Sequence, residues 1–188
     1  MGLDIRTLGS GNAGATNVWR SVGFKMGLAV AFLDIGKGVA AAVLGRWLGD
    51  DLLGVLAGVA AMAGHWRPLF MSFGRGGKTV ATTGGVALAL ALVPALASAG
   101  VWIVVFFLTR YASVASIAAA AALPLLAEVF GASAPVLVFT VGAALAILVL
   151  HRSNIRRLFA GTESRIELRR PRAGPLGTTR APLPSKRV

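Results

Sequence analysis

Six long apolar runs, separated by short polar connections, constrain the fold of this chain more than any other feature. They cover residues 26–48, 52–70, 80–93, 94–108, 114–130 and 135–150. A helix of about 20 apolar residues crosses a hydrocarbon core of about 30 Å. The pattern therefore predicts an all-α, polytopic integral membrane protein with about six transmembrane segments.

The composition supports a lipid environment. Hydrophobic residues make up 56% of the chain and charged residues only 14%, against about 45–50% and about 25% in soluble domains. One small soluble globule cannot bury so much apolar surface, so the soluble classes are excluded.

The run 80–93 is shorter than an untilted crossing requires. It ends before Pro94, which is predicted to lie in the first turn of the next helix. Two alternatives stay open for this run: a tilted crossing, or a re-entrant segment that enters the bilayer part-way.

Positive charges fall almost entirely on one side of these segments. If the N-terminal loop is cytoplasmic and every run crosses, all Lys and Arg residues except Lys37 and Arg46 face the cytoplasm. This is the positive-inside bias, so we predict a multi-pass membrane protein with both termini cytoplasmic. The anionic leaflet accounts for the net charge of +12, and no nucleic-acid partner is expected.

Two regions differ in composition. Residues 1–167 are predicted to form the membrane-embedded domain, and residues 168–188 a basic, Pro- and Arg-rich tail that is disordered. The chain has no cysteine, which excludes disulfides and thiolate catalysis. His65 and His151 lack metal-type spacing, so neither a metal nor another cofactor is expected.

Three polar, glycine-rich segments fall on the same predicted cytoplasmic face. They are residues 9–20, 64–79 and 151–163, with further hydroxyl groups at 110–116. Glycines let backbone N–H groups approach an anion closely. Lys78 and Arg20 add positive charge. Ser10, Asn12 and Asn154 add directional hydrogen bonds, so the segments predict a cationic pocket for phosphorylated substrates.

Two nucleotide-binding motifs are matched only in part. Residues 9–14 fit the G-x-G-x-x-G pattern, but no strand precedes them and Asp34 lies inside an apolar run. Residues 72–79 approach a P-loop, but Ser72 stands in place of its first glycine. Neither dinucleotide binding nor nucleotide hydrolysis is therefore predicted.

Structural roles stay open for several of these residues. Glycines beside membrane helices also serve as turns and packing contacts. Arg156 also fits a positive-inside anchor, and His65 and His151 also fit helix caps. Asp34 and Lys37 stand three residues apart in an apolar run, where they either pair with each other or support the pocket.

Three motifs in a fixed order resemble those of a known enzyme family. They are LGSGNAGATN at 8–17, GHWRP at 64–68 with GGK at 76–78 and VAT at 80–82, and HRSNIRRLFAGTE at 151–163. From about residue 4 to residue 163 the chain resembles the acyl-phosphate:glycerol-3-phosphate acyltransferase family (PlsY type). The resemblance implies seven membrane helices, the first of which precedes the first motif and has no counterpart here.

The resemblance also implies a reaction. An acyl group moves from acyl phosphate to the 1-hydroxyl of glycerol 3-phosphate, giving lysophosphatidic acid and inorganic phosphate for phospholipid biosynthesis. The expected partners are these two substrates and the lipid bilayer, and the implied location is the bacterial inner membrane. Neither coenzyme A, acyl carrier protein nor a metal is expected to take part, and the oligomeric state is left open.

The resemblance assigns catalytic roles residue by residue. Ser10 and Asn12 match positions that hold the acyl phosphate. Arg20 and Lys78 match positions that grip phosphate groups. The full set of expected catalytic residues is Ser10, Asn12, Arg20, Lys78, His151 and Asn154.

Other matched positions surround glycerol 3-phosphate, among them Ser116, His151 and Asn154. The expected substrate-binding residues are Gly9, Gly11, Gly14, Thr16, Asn17, His65, Gly76, Gly77, Ser116, Arg152 and Glu163. The base that removes the hydroxyl proton is left open between the phosphate of glycerol 3-phosphate itself and His151.

Two functions from other classes compete with this enzyme. A small anion transporter would use the run 80–93 as a broken helix, although no inverted repeat relates the two halves of the sequence. An inactive, truncated paralogue that acts as a membrane scaffold is the other alternative.

Overall fold

The computed structural model describes residues 4–74 and 76–167, and the predicted disordered tail at 168–188 lies outside the described residues. Within them the chain forms helices and no strand, which confirms the all-α prediction. Two short 3-10 turns lie at Ile5–Thr7 and Leu69–Met71. The α-helices are α1 (Ala15–Ser21), α2 (Phe24–Leu48), α3 (Asp51–Trp66), α4 (Val80–Leu90), α5 (Leu92–Thr109), α6 (Ala112–Val129), α7 (Ala134–Leu150) and α8 (Arg152–Phe159).

Three of the helices in the described part, α2, α5 and α6, are long and apolar enough to cross a membrane. Helices α7 and α8 are bent by 54° relative to each other, and as one broken span they raise the number to four. Helix α4 has 11 residues, about 16 Å of helix, and is too short to span alone. The figure of six spans, and the choice between a tilted and a re-entrant α4, stay predictions.

Large apolar side chains cover the outside of the long helices. Phe32 and Leu33 on α2, Leu108 on α5 and Leu125 on α6 are largely exposed. Exposed apolar surface of this extent marks a lipid or protein contact. Its distribution around several helices fits a lipid boundary.

The structure contradicts one predicted helix boundary and confirms another. Helix α3 ends at Trp66, so the prediction that the run 52–70 is one segment is wrong at its end. The residue before a proline is disfavoured in helical conformation, and Arg67 leaves the helix before Pro68. Pro94 lies in the first turn of α5, as predicted.

Close packing against α2 holds the short helix α4 in place. A Cβ on Gly38 of α2 would overlap the Thr82 carbonyl oxygen, and one on Gly85 of α4 would overlap the Ile35 carbonyl oxygen. Glycines at such crossings let two backbones approach directly. A buried apolar cluster encloses the same region, formed by Ala42, Val55, Met62, Val86, Val136, Phe139 and Ala143. The crossing therefore fixes where α4 begins, two residues after Lys78.

Substitution of adjacent glycines tests this crossing. Gly85→Ala is expected to destabilise the fold by about 1–3 kcal/mol, because its Cβ would press on backbone that cannot easily move. Gly84→Ala is the matched control, since a Cβ there meets no atom within 4 Å. Thermal unfolding in detergent should show a lower midpoint for Gly85→Ala only. Equal midpoints in the two variants would contradict the crossing.

Candidate active site

The first polar segment folds into a tight loop before α1. Gly9 (φ +55°) and Gly11 (φ +68°) adopt the left-handed backbone that favours glycine. Asn17 closes the loop: its Oδ1 accepts from the Ser10 N–H and its Nδ2 donates to the Asn12 carbonyl, each at 2.9 Å. Because Asn17 is buried with these bonds made, the structure places it beneath the loop as a support.

The outer side of this loop presents the hydroxyl of Ser10. Asn12 Nδ2 donates to Ser10 Oγ at 3.1 Å, so the hydroxyl accepts this bond and keeps its own proton for another acceptor. Thr16 lies in the first turn of α1. Gly14 faces the second polar segment, since a Cβ there would lie 3.9 Å from the Gly77 Cα. The first two segments are therefore in contact.

The second polar segment returns along the end of α3. The Gly76 N–H donates to the Trp66 carbonyl and the Gly77 N–H to the His65 carbonyl, both at 3.1 Å. A Cβ on Gly76 would overlap the His65 carbonyl oxygen, and one on Gly77 would overlap the His65 ring. Both positions therefore require glycine, and they lead the chain to Lys78, two residues before α4 begins.

The second and third polar segments meet at Lys78. Its ammonium group donates to Oδ1 of Asn154 on α8. The Asn154 Nδ2 donates to Oε1 of Glu163 at 2.7 Å. The Glu163 carboxylate also accepts from Ser113 Oγ on α6 at 2.8 Å and from Arg157 Nε at 2.7 Å. Both oxygens of this buried carboxylate are occupied, so Glu163 joins α6 to α8 and supports Asn154.

Arg20 brings the first segment to the third. Its guanidinium donates from one terminal nitrogen to the Ser164 carbonyl at 2.7 Å. Its Nε is buried without a hydrogen-bond partner among the described residues. Burial lowers the pKa of Arg20 from its ordinary value, and an anionic ligand beside Nε would offset the desolvation of this charge. Lys78 and Arg20 thus both bond to the stretch 154–164, which brings the three polar segments together.

Comparison with known proteins decides the family. The sequence profile of the glycerol-3-phosphate acyltransferases matches residues 1–161. The chain is 46% identical over 169 residues to the glycerol-3-phosphate acyltransferase of Desulforudis audaxviator, covering 90% of this chain and 85% of that protein. It is 45% identical over 165 residues to that of Synechococcus sp. JA-3-3Ab, covering 88% and 81%. The chain belongs to the glycerol-3-phosphate acyltransferase family.

Two solved structures are similar to this acyltransferase family member. The crystal structure of PlsY (YgiH), an integral membrane glycerol 3-phosphate acyltransferase, in its glycerol 3-phosphate form gives a TM-score of 0.84 at 40% identity, over 88% of this chain and 84% of that one. Its lysophosphatidic acid form gives a TM-score of 0.80 at 40% identity, over 84% and 81%. The similarity confirms that the chain is a multi-pass membrane protein.

His151 is buried at the junction of α7 and α8. Its Nδ1 lies 2.8 Å from the Ile147 carbonyl oxygen. Because a carbonyl only accepts, Nδ1 carries the proton and Nε2 is an acceptor. Burial, and then the positive charge of Lys78, lower the pKa of His151 to about 4. The imidazole is therefore neutral near pH 7.

Two further predicted binding residues, Ser116 and Arg152, lie on α6 and α8. Ser116 on α6 is buried, with its Oγ accepting from Trp102 Nε1 at 3.1 Å and donating to the Ala112 carbonyl at 2.7 Å. Arg152 is exposed at the first residue of α8. Their roles in binding glycerol 3-phosphate stay predictions.

Ser113 and Arg157 hold Glu163 but were not singled out by the sequence. Ser113 stands three residues before Ser116 on α6, so helical spacing alone would have placed it on a related face. Arg157 reaches Glu163 across the turn at Gly161, which has a φ of +68°. No sequence signal distinguishes Arg157 from the other basic residues of α8.

Acid unfolding tests the role of Glu163. Burial raises the pKa of its carboxyl, but hydrogen bonds from Asn154, Ser113 and Arg157 outweigh burial and hold that pKa below the ordinary 4.5. A carboxyl with a lowered pKa stabilises the fold above its unfolded-state pKa, and this contribution is lost as the pH falls through the folded-state pKa. Glu163→Gln should therefore melt below wild type near pH 7, with a gap that narrows as the pH falls below 4.5.

Thermal unfolding across a pH series in detergent measures this gap. Glu128→Gln, at an exposed position near the far end of α6, is the matched control and should melt close to wild type. A Glu163→Gln gap of constant size at every pH would show that the carboxylate charge contributes nothing.

Proposed function

We propose that this chain is the membrane enzyme that transfers an acyl group from acyl phosphate to the 1-hydroxyl of glycerol 3-phosphate. The products are lysophosphatidic acid and inorganic phosphate. The observation that carries the proposal is that two cations from separate segments bond to one stretch of chain: Lys78 to Asn154, and Arg20 to the Ser164 carbonyl next to Glu163. Family membership favours this enzyme over an anion transporter or a scaffold.

The chemistry requires positioning more than covalent catalysis. Acyl phosphate is a mixed anhydride, so the hydroxyl oxygen attacks the acyl carbon and the bond to the phosphate oxygen breaks. Phosphate leaves with that bonding pair, and the hydroxyl proton passes to a base. Both substrates are anionic and repel each other. The charges of Lys78 and Arg20 offset that repulsion and hold the reacting groups together.

Ser10 supports the placement of the acyl donor. Its hydroxyl proton is available beside the glycine-rich turn, with Asn12 holding its oxygen. In this proposal, Ser10 donates to the phosphate of the acyl donor, while the backbone N–H groups of the loop supplement it. The predicted charge bias puts the site on the cytoplasmic face of the inner membrane.

Substitution of Lys78 tests the site. Lys78→Met is expected to lower kcat/KM by about 100-fold or more, because a cation that neutralises charge in the transition state is removed. Release of phosphate from palmitoyl phosphate and glycerol 3-phosphate in proteoliposomes measures the rate. Lys25→Met is the matched control, since Lys25 is exposed in the first turn of α2. A Lys78→Met rate equal to that of Lys25→Met would rule out the assignment.

The base is proposed to be the phosphate of glycerol 3-phosphate. A base works best when its pKa lies near the working pH. A phosphate monoester has a second pKa of about 6, whereas the pKa of His151 is lowered to about 4. His151 Nε2 then accepts a hydrogen bond and orients the substrate.

A substrate analogue separates the two candidate bases. The phosphonate analogue of glycerol 3-phosphate has a higher second pKa than the natural phosphate. If the substrate phosphate is the base, the acidic limb of the pH–rate profile should move to higher pH with the analogue. A limb that stays in place with the analogue but disappears in His151→Gln would assign the base to His151 instead.

A further inference from the structure

An ionic pair lies inside the first long helix. Asp34 is buried on α2, and the Lys37 ammonium one turn later donates to its Oδ1 at 2.6 Å. Asp34 stands ten residues after the start of α2, or about 15 Å along the helix axis. Ionisable side chains within membrane helices are costly and commonly serve a function. The two charges already neutralise each other. A further contact made by the Lys37 ammonium therefore indicates what the pair does.

The same ammonium group also holds the imidazole of His65 on α3. Lys37 Nζ lies 2.6 Å from His65 Nδ1, and Asp34 Oδ1 lies 3.3 Å from the same nitrogen. An ammonium group only donates, so Nδ1 accepts and the ring proton is on Nε2. The side chains of Asp34 and His65 are each only 10% exposed. The ring of His65 is therefore fixed in orientation from α2.

The fixed ring lies against the backbone that leads into Lys78. A Cβ on Gly77 would overlap His65 Nε2 and would lie 2.6 Å from Cε1, so the ring covers that face of the glycine. The His65 carbonyl also accepts the Gly77 N–H. His65 thus contacts Gly77 through both its side chain and its main chain. A continuous set of contacts runs from Asp34 to Lys78.

We infer that Asp34 and Lys37 are positioning residues that act through His65 and Gly77 to fix Lys78, and thereby set the affinity of the site for a phosphate group. The nature of the phosphate ligand rests on the proposed function. Loss of either charge would release the His65 ring and let the Gly76–Gly77 backbone relax. The Lys78 ammonium would then reach Asn154 and the ligand from several positions instead of one, and binding would weaken.

Ligand binding by matched variants tests this inference. Dissociation constants for glycerol 3-phosphate and for a non-hydrolysable acyl phosphonate are measured by calorimetry on protein in lipid nanodiscs. Asp34→Asn and Lys37→Met should each weaken at least one ligand by about 10-fold, the lower range for partners that orient a binding group. The dissociation constants should be unchanged in Asp51→Asn and Arg46→Met, which break the Arg46–Asp51 ion pair (3.0 Å) at the other end of α2 and α3.

A double-mutant comparison separates positioning from general stability. If Asp34 acts through Lys78, Asp34→Asn should weaken binding little further once Lys78→Met is present. Full additivity of the two losses would overturn the inference, as would an unchanged affinity for both ligands in Asp34→Asn. If Asp34→Asn does not fold, Lys37→Met in the same Lys78→Met background gives the comparison, because the Lys37 side chain is 39% exposed.

Turnover of the wild-type protein is measured separately. Protein that binds glycerol 3-phosphate in an Asp34-dependent way but releases no phosphate from acyl phosphate would support the inference and contradict the proposed reaction. Full wild-type activity, with dissociation constants that Asp34→Asn and Lys37→Met leave unchanged, would support the proposed reaction and contradict the inference. Absence of binding for both ligands in the wild type would contradict both.

Discussion

The contact between Lys78 and Asn154 joins parts of the chain that are far apart in sequence, and much of the site depends on it. Lys78 ends the loop after α3 and precedes α4, whereas Asn154 lies on α8 beyond the bend with α7. Asn154 is held in turn by Glu163. A buried polar group is stable only with a hydrogen-bond partner, so each member of this set requires the next. The Lys78 ammonium is therefore placed by bonds that reach several helices.

Glycine packing makes that contact possible. Helix α4 is too short to span a membrane alone. Gly38 and Gly85 let its backbone cross in direct contact with the backbone of α2. The loop before it follows the end of α3 through Gly76 and Gly77, where larger residues would displace His65. Small residues thus determine where the backbone of Lys78 lies, and polar partners determine where its side chain points.

The sequence predicted a set of polar site residues but not the partners of their polar atoms. Arg20, Lys78 and Asn154 were predicted from three separate motifs, and the structure bonds Lys78 to Asn154 and Arg20 to the Ser164 carbonyl. Asn17 and Glu163 were predicted to bind substrate, yet their polar atoms are taken up by the loop and by neighbouring helices. A motif marks which residue types are present, but the partners of each polar atom depend on distances that only the folded chain sets.

The sequence by itself determined the membrane class and the helical fold, and it predicted the face on which the polar segments gather. These follow from apolar length and from the side on which Lys and Arg fall, which are local or additive properties. Only the tertiary structure decided which atoms are available for chemistry. The proton of His151 is on Nδ1 because the Ile147 carbonyl lies beside it, and Lys37 holds His65 because α2 and α3 pack together. Hydrogen bonds act over about 3 Å, so such assignments require the positions of atoms far apart in the chain.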